Sequence, residues 1–463
     1  LASATVLLAG CVPRLGPAPA INAVAPGETA ATVSARPGVA IDQAWWAHFA
    51  DPQLDALVAE ALKGSPDVAA AVARVAQADA LAQQAGAAAL PSLTADGLAG
   101  ATKQSQNLGP PPQFVPDGII STGRLTATFN FNLDLWGKQR AAVRAARGDA
   151  AAARLDADQA RLILSTEVAN AYAELQRDFA LAATARAALA LRQESARLSG
   201  LRVRGGLDNR GSSAQAEARA PAAQADLEAA NAAIALTRHR LAVLLGRGPD
   251  RGEAITPPAM KPYAVGIPAN AGIDLVGRRP DVVAARVRTE AAAERIKVAK
   301  ADFYPNINLG AVIGLQSLGL SKLFDGGSSY GNAGPAFSLP IFDGGRIAGR
   351  YRGSRADFDL SVANYDKTLL AALGQAADAV ATLDSTEAQL AAQRRSVVAN
   401  GEAARIARLR YTGGLSNQLV QLTAEDSLVA SQRAAADLEG RRLLAQVALI
   451  RALGGGYISD GAR

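Results

Sequence analysis

The chain has 463 residues, 49% of them hydrophobic but only 5% aromatic, with a formal net charge of +6. Much of the apolar share is alanine, which is thin material for a thick globular core and suits long helices packed side by side. The basic residues are scattered rather than gathered into a stripe, which argues against nucleic-acid binding, and a lone cysteine excludes an internal disulfide framework.

Residues 1–10 read as the tail of a signal peptide. Leu8-Ala9-Gly10-Cys11 has the form of a bacterial lipoprotein box, so Cys11 is expected to carry lipid and become the mature N-terminus. A small buried core cysteine is the other reading. The Pro-rich stretch that follows favours the lipobox, and residues 11–44 are read as a lipidated tether. Acyl chains there would anchor the chain without spanning a bilayer. Val12 rather than Asp follows the cysteine, so the usual inner-membrane retention signal is absent. No later segment offers the ~18 apolar residues of a transmembrane helix. Any crossing must then use a closed β-barrel.

A first structural repeat is read over 45–250. Ser65-Pro66-Asp67 opens a helix to about Ala89, with a capping Ser, Pro in the first turn and Asp at the positive end of the dipole. Residues 92–99 are a weak strand, and 100–123 an exposed connector rich in Gly, Pro, Ser, Asn and Gln. Residues 125–135 alternate apolar and polar without a break, a period-2 strand of the length a tilted membrane strand needs. A half-buried soluble strand shares that pattern. Phe129, Phe131, Leu133 and Leu135 should share one face, with Thr128, Asn130 and Asn132 on the other. From Lys138 to Arg204 there is no proline, and Val168, Tyr172, Leu175 and Phe179 recur at helical spacing. Gly205-Gly206-Leu207 should turn this helix into another, from about Ser213 to Leu245, with a local kink at Pro221. Residues 251–270 read as a linker.

A second repeat, 271–457, restates the first, before a short tail at 458–463. "LRVRGGLDN" at 201–209 returns as "LRYTGGLSN" at 409–417; Pro66-Asp67-Val68 returns as Pro280-Asp281-Val282; Leu90-Pro91 as Tyr304-Pro305; Phe131 to Trp136 as Phe337 to Phe342; and Leu245-Gly246 as Leu453-Gly454. Five anchors in the same order, at nearly constant spacing, mean one unit duplicated. Arg279-Pro280-Asp281 opens a helix to about Asp302. A second β-hairpin, at 306–341, matches the first at 92–135, with strands at 306–315 and 333–341. A long helix should run from Gly345 to Arg410, and a last one from Ser416 to Leu453.

Helices of about 66 residues are ~100 Å long. The two shorter helices of each half, stacked end to end, nearly equal one long helix. Four strands cannot close a membrane barrel, which starts at eight, and open edges are not tolerated in lipid. The chain must therefore oligomerise. A trimer supplies twelve strands and twelve helical positions, a dimer only eight strands; a ring of standing helices continuous with a small barrel is a channel-tunnel.

Four stretches carry a family resemblance: "WWAHFADPQLDALVAEAL" (45–62), "RRPDVVAARVRTEAA" (278–292), "RYTGGLSNQLVQL" (410–422) and "ALGGGY" (452–457). They resemble the outer membrane factors of bacterial tripartite efflux and type I secretion systems, the TolC and OprM family, and most closely its OprM- and NodT-like lipoprotein branch. The resemblance implies an α+β membrane protein: a homotrimeric channel-tunnel with a 12-stranded β-barrel, four strands per chain, and a long α-helical periplasmic barrel. It further implies an outer-membrane protein, lipid-anchored and extending into the periplasm. Its partners would be outer-membrane lipid, a periplasmic adaptor (membrane fusion) protein and an inner-membrane pump of the resistance-nodulation-division type.

Under that resemblance Gly205, Gly206, Leu207, Gly413, Gly414 and Leu415 form the periplasmic tips where an adaptor docks. Asp208, Arg210, Tyr411, Asn417, Glu425 and Asp426 are candidates for contacts that hold the tunnel shut; a solvated turn with no gating role is the alternative. Family members often carry aspartates on the helix after the second tip, but the corresponding positions here are Val420 and Thr423. The acidic aperture is therefore absent, or shifted to Glu425 and Asp426. No cofactor, metal or nucleic acid is expected, and no enzyme activity: His48 and His239 are the only histidines, with no cluster at metal-ligand spacing and no nucleotide-binding loop. The expected function is an exit duct passively conducting small molecules or drugs from the pump. The alternatives are type I protein secretion and a lipid-anchored coiled-coil protein without a channel.

Overall fold

The computed structural model describes residues 36–107, 111–267 and 278–457; Cys11 and residues 1–10, where the signal and lipidation expectations fall, lie outside them. Two compact units divide the chain: one formed by Val75–Ala153 and Ala285–Tyr365, the other by residues 36–74, Arg154–Ala284 and 366–457.

The first unit holds all strands found among the described residues. They are β1 (Ser92–Thr102), β2 (Ile120–Leu133), β3 (Asn306–Leu318) and β4 (Ser329–Ser338), in one antiparallel sheet of order β1-β2-β3-β4. The two hairpins expected from the sequence are thus joined by β2 against β3, which pairs one repeat with the other. Boundaries differ from expectation for physical reasons. Strand β2 starts at Ile120 rather than 125, because backbone pairing continues through Ser121-Thr122-Gly123, where side-chain alternation is lost. Strand β4 covers 329–338 rather than 333–341, since Pro340 has no amide to donate to the ladder. Leu135 and Ile341 consequently fall beyond the strands. At the helical side of this unit, Gly148 on the first long helix lets Ala291 approach closely, and Arg144 pairs with Glu294 at 2.8 Å.

The second unit is helical. A single 3-10 turn, Trp45–Phe49, leads into α1 (Pro52–Gly64), a helix within the stretch 45–62 that carries the family resemblance. The Asp51 side chain caps α1 by accepting from the Gln53 amide, and it also takes the Tyr172 hydroxyl at 2.9 Å and the Ala259 amide at 2.8 Å. One buried carboxylate thereby ties α1, a long helix and the inter-repeat linker together. The linker is packed, not loose: Ile255, Met260, Val265 and Ile267 are buried, and Arg36 and Val39 bridge to Ile267 and Val265.

The remaining helices are α2 (Pro66–Ala87), α3 (Lys138–Arg204), α4 (Arg210–Leu244), α5 (Pro280–Ala301), α6 (Arg346–Thr412) and α7 (Gln418–Ala452). Each of α3 and α6 is 67 residues long. Val168, Tyr172 and Leu175 of the expected seam are fully buried. Helix α4 begins at Arg210 rather than Ser213, because Asn209 accepts from the Ser212 amide; likewise Asn417, not Ser416, caps α7. Pro221 is accommodated inside α4, which runs on through it.

The repeated Leu-Gly sequences are joints between helices. At the end of α4, Gly246 donates to Val243 and Arg247 to Ala242, a Schellman ending. Gly246 sits at φ 70°, and its α-carbon lies so close to the Gly64 carbonyl that a Cβ would collide with it. Helix α4 thus abuts the junction of α1 and α2. In the twin joint Arg279, ahead of α5, donates to the Ala452 carbonyl at 3.3 Å and to Gln375 at 2.9 Å, satisfying an otherwise unpaired helix-end acceptor.

Gly206 has the same left-handed backbone, φ 69°, but open space around it. Gly206→Ala should therefore cost about 1–2 kcal/mol, the price of that backbone conformation alone. Gly246→Ala should cost about 1–3 kcal/mol more, because the joint must move apart. Thermal unfolding of the two purified variants compares them; equal shifts would refute the joint.

Candidate functional site

In the sheet, residues directly opposite one another across antiparallel strands share a face. The observed register aligns Leu93, Phe129 and Ala311, then Phe131, Leu309 and Pro335, then Leu133, Ile307 and Phe337. The opposite face aligns Thr94, Thr128 and Val312, and then Ser92, Asn130 and Gly310. Here the Thr126 and Tyr330 hydroxyls lie 2.7 Å apart, and Asn308 donates to Asn130 at 3.3 Å. Leu98, Val312 and Ala336, and Ile120 and Leu318 at the far end, interrupt this otherwise polar face. The expected division of Phe129, Phe131 and Leu133 from Thr128, Asn130 and Asn132 holds, while Leu135 lies outside the strand. The apolar face has little covering it: Phe337 is 81% and Ile313 71% exposed. Among the described residues, strands β1 and β4 each keep one unpaired edge.

In the helical unit, both Gly-Gly-Leu turns are Schellman endings of the long helices. Leu207 donates to the Arg202 carbonyl at 2.8 Å and Gly206 to Val203 at 3.1 Å; Leu415 donates to Arg410 at 2.7 Å and Gly414 to Tyr411 at 3.0 Å. Only the second glycine of each pair has positive φ, so Gly205 and Gly413 carry no conformational demand. Leu207 and Leu415 are exposed.

Side chains join the two tips. Tyr411, on α6, is buried; its hydroxyl donates to Asp208 at 2.9 Å, and the Arg202 guanidinium lies 4.5 Å above its ring. Burial opposes ionisation of Asp208, but the Asn209 amide, the Tyr411 and Ser212 side chains and the Arg202 charge outweigh it and hold the carboxyl below its ordinary range. Burial, and then the hydrogen bond to Asp208 and its charge, push the Tyr411 phenol up to about 12. Both groups therefore keep the protonation states their hydrogen bond needs near neutral pH.

Farther along the same helices lies a larger polar cluster. Arg192 on α3 donates to Glu425 on α7 at 3.0 Å and to Asp426, and Arg219 on α4 donates to Asp426 at 2.6 Å. Glu425 also accepts from Ser195 at 3.0 Å and from Gln421 at 2.7 Å, while Ser199 donates to Gln418 at 3.0 Å. The Arg192 and Glu425 side chains are only 6% and 3% exposed. Every one of these contacts links a residue of one repeat to the other, except that from Gln421.

A sequence profile described as Outer membrane efflux protein matches residues 57–247 and 274–455. The chain belongs to this family. The two matched segments coincide with the two repeats. The multidrug resistance outer membrane protein MdtP of Escherichia coli K12 is 30% identical over 420 residues, 89% of this chain and 86% of that protein. The pyoverdine export outer membrane protein OpmQ of Pseudomonas putida is 32% identical, over 97% of this chain and 94% of its own. The fusaric acid resistance protein FusA of Burkholderia cepacia is 38% identical over 67% of this chain, which spans 59% of its length. Among solved structures, the outer membrane protein VceC of Vibrio cholerae superposes with TM-score 0.86 at 40% identity, covering 90% of this chain and all of VceC. The outer-membrane channel OprN gives 0.84 at 28%, covering 96% and 99%.

The chain is thus an outer-membrane efflux channel subunit of the expected α+β, duplicated class. Of the expected gate residues, Asp208 and Tyr411 meet directly, and Glu425 and Asp426 join the cluster on Arg192. Asn417 is a helix cap, and Arg210 is exposed at the start of α4. Val420 is half exposed and Glu425 faces inward, so the glutamate is committed to Arg192 and does not replace an acid at position 420. Sequence reading missed Arg192, Ser195, Ser199 and Arg219. With the buried Ala188, the first three repeat the 4-3-4 spacing of α3 one residue out of step with the seam from Val168 to Phe179; polar residues at that spacing were the signal available.

Removing one partner of a buried ion pair strands the other charge. Glu425→Ala should destabilise the protein by about 3–5 kcal/mol, whereas Asp426→Ala, at a half-exposed carboxylate, should cost about 1 kcal/mol or less. Thermal unfolding ranks the two; the reverse order would refute the buried pair as the centre of the cluster.

Proposed function

We propose that this chain assembles as a homotrimer into the exit duct of a tripartite efflux system, carrying small molecules across the outer membrane. The observation that carries the reading is the sheet: four strands, one continuous apolar face, and an open edge at each end. Three copies would close a 12-stranded barrel and leave no edge in lipid. The polar face, with its Thr, Asn and Tyr side chains, would then line the lumen. The 67-residue helices, ~100 Å each, would supply the periplasmic tunnel.

The Gly206 and Gly414 turns would ring the entrance, with Leu207 and Leu415 presented to the helical hairpin of a periplasmic adaptor. The adaptor would connect the duct to an inner-membrane pump of the resistance-nodulation-division type. The Tyr411–Asp208 link and the Arg192 cluster would hold the tips of one subunit together in the closed state. Lipid on Cys11 would add an anchor; the mass of the N-terminal peptide reads it, and an unmodified thiol would remove that element alone. The names of the relatives refer to fusaric acid, drugs and pyoverdine, which favours small-molecule efflux over type I protein secretion.

Replacing Gly206 and Gly414 together by Trp tests the whole. The channel should still assemble and conduct in planar bilayers, while efflux in cells fails because the tips no longer accept the adaptor. Efflux at the wild-type level would rule the tips out as the docking site, and loss of conductance in assembled protein would argue against the tips as a pure docking surface.

A further inference from the structure

The two tips carry a charge that their own contacts do not cancel. Residues 192–219 and 402–426 hold nine arginines against six Asp and Glu, an excess of three and half the net charge of the whole chain. Five of the six acids are committed to arginine. Glu194 pairs with Arg197 and Glu402 with Arg405, the same pair once in each repeat. Asp208 holds Tyr411 and faces Arg202, while Glu425 and Asp426 are taken by Arg192 and Arg219. The sixth, Glu217, accepts from the Ser213 hydroxyl at 2.8 Å. Arg204, Arg210, Arg408 and Arg410 are exposed, and among the described residues none of them has an acid as ion-pair partner. Arg408 adds to the field on Glu194, but the hydrogen bonds of that carboxylate go to Arg197.

The duplication shows how the imbalance arises. Arg202 and Arg410 hold the same place in the two repeats, three residues ahead of the glycine pair. Arg202 lies 3.8 Å from Asp208, whose twin in the second tip is Ser416, so Arg410 has no acid to meet. Arg210 stands opposite Gln418, and Arg408 opposite Gly200, so each adds a cation in one repeat only. Helix stability accounts for part of this. A cation in the last turn suits the negative end of the helix dipole, which fits Arg204 and Arg410. Arg210 is the reverse: it opens α4, at the positive end, where an acid would be the stabilising choice. The sheet does not offset the tips. Asp96 and Arg124 are the only charged residues of its four strands, one of each sign and both on the polar face.

We propose that the tips make the mouth of the duct electropositive and the channel anion-selective, so that small organic anions are drawn in ahead of cations. The residues that set this preference are Arg204, Arg210, Arg408 and Arg410. The inference rests on the trimeric duct with its tips at the entrance, as proposed above. Four unpaired guanidiniums from each of three subunits, twelve in all, would then surround one opening, and guanidiniums stay charged at any practical pH. Like charges gathered at a cleft focus the field and raise the local concentration of counter-ions. Acids at the aperture would do the opposite. Val420 and Thr423 supply none, and Glu425 and Asp426 are bound to arginine.

Reversal potentials of the purified oligomer in planar bilayers, under a KCl gradient, read the selectivity. Chloride should be favoured over potassium about tenfold at about 10 mM salt, and the preference should shrink towards about 1 M, as the screening length falls from ~30 Å to ~3 Å. The variant Arg204→Gln/Arg210→Gln/Arg408→Gln/Arg410→Gln should lose the preference. Should that variant not assemble, Arg210→Glu alone decides, and its preference for chloride must fall below that of the wild type. Potassium favoured by the wild type, no preference at low salt, or an unchanged preference in the variant would overturn the inference. An assembled oligomer that conducts no ions would fail the duct itself, whereas one that conducts without favouring chloride fails the inference alone.

Discussion

The constraint on which the rest depends is the backbone hydrogen bond in lipid. Each amide and carbonyl in the hydrocarbon layer needs a partner, because no water is there to supply one. Strands β1 to β4 satisfy one another across three interfaces and leave two edges open. Such a sheet is incomplete as a single membrane-spanning chain. Its apolar face gives a reason to enter lipid, its edges a reason to associate, and its Thr- and Asn-bearing face a reason to enclose water. Oligomerisation follows from the same groups that make the sheet, with no separate interface motif required.

In the helical unit the governing problem is different. Alanine-rich helices pack closely but discriminate poorly between alternative partners, since one small side chain fits much like another. Specific joints fill that gap. Gly246 permits a helix end to abut Gly64, Arg279 donates to the carbonyl of Ala452, and Asp51 gathers three donors from separate segments. The Arg192–Glu425 pair is the most costly of these, because both charges leave water. Its value is selectivity: only the pairing that brings α3 against α7 satisfies both charges.

Much of this was legible in the sequence, and the reasons are local. Helix α3 was read to the residue, because Gly137 precedes it, no proline interrupts it and Gly205 ends it. The duplication was visible because turn chemistry leaves fixed residues, Gly-Gly-Leu and Leu-Gly, at constant spacing. Strands were found wherever side chains alternate, and were misplaced where glycine and proline hide the alternation, as in Gly331-Asn332-Ala333-Gly334-Pro335. Helix α1 was overlooked although Asp51-Pro52 is a sound start signal. The β2–β3 pairing and the Arg192 cluster were out of reach for another reason: their partners lie about two hundred residues apart, and nothing within either segment names the other.

The central claim is that one face of the sheet meets lipid and the other encloses water. Its most direct measurement is the yield of assembled oligomer in outer membranes for two neighbouring substitutions, Phe129→Arg and Thr128→Arg. An arginine on the lipid face costs up to about 2–4 kcal/mol per chain toward the bilayer midplane, while lumen-facing changes tune selectivity instead. The account predicts a large loss of oligomer for Phe129→Arg and a yield near wild type for Thr128→Arg. Equal yields would contradict it.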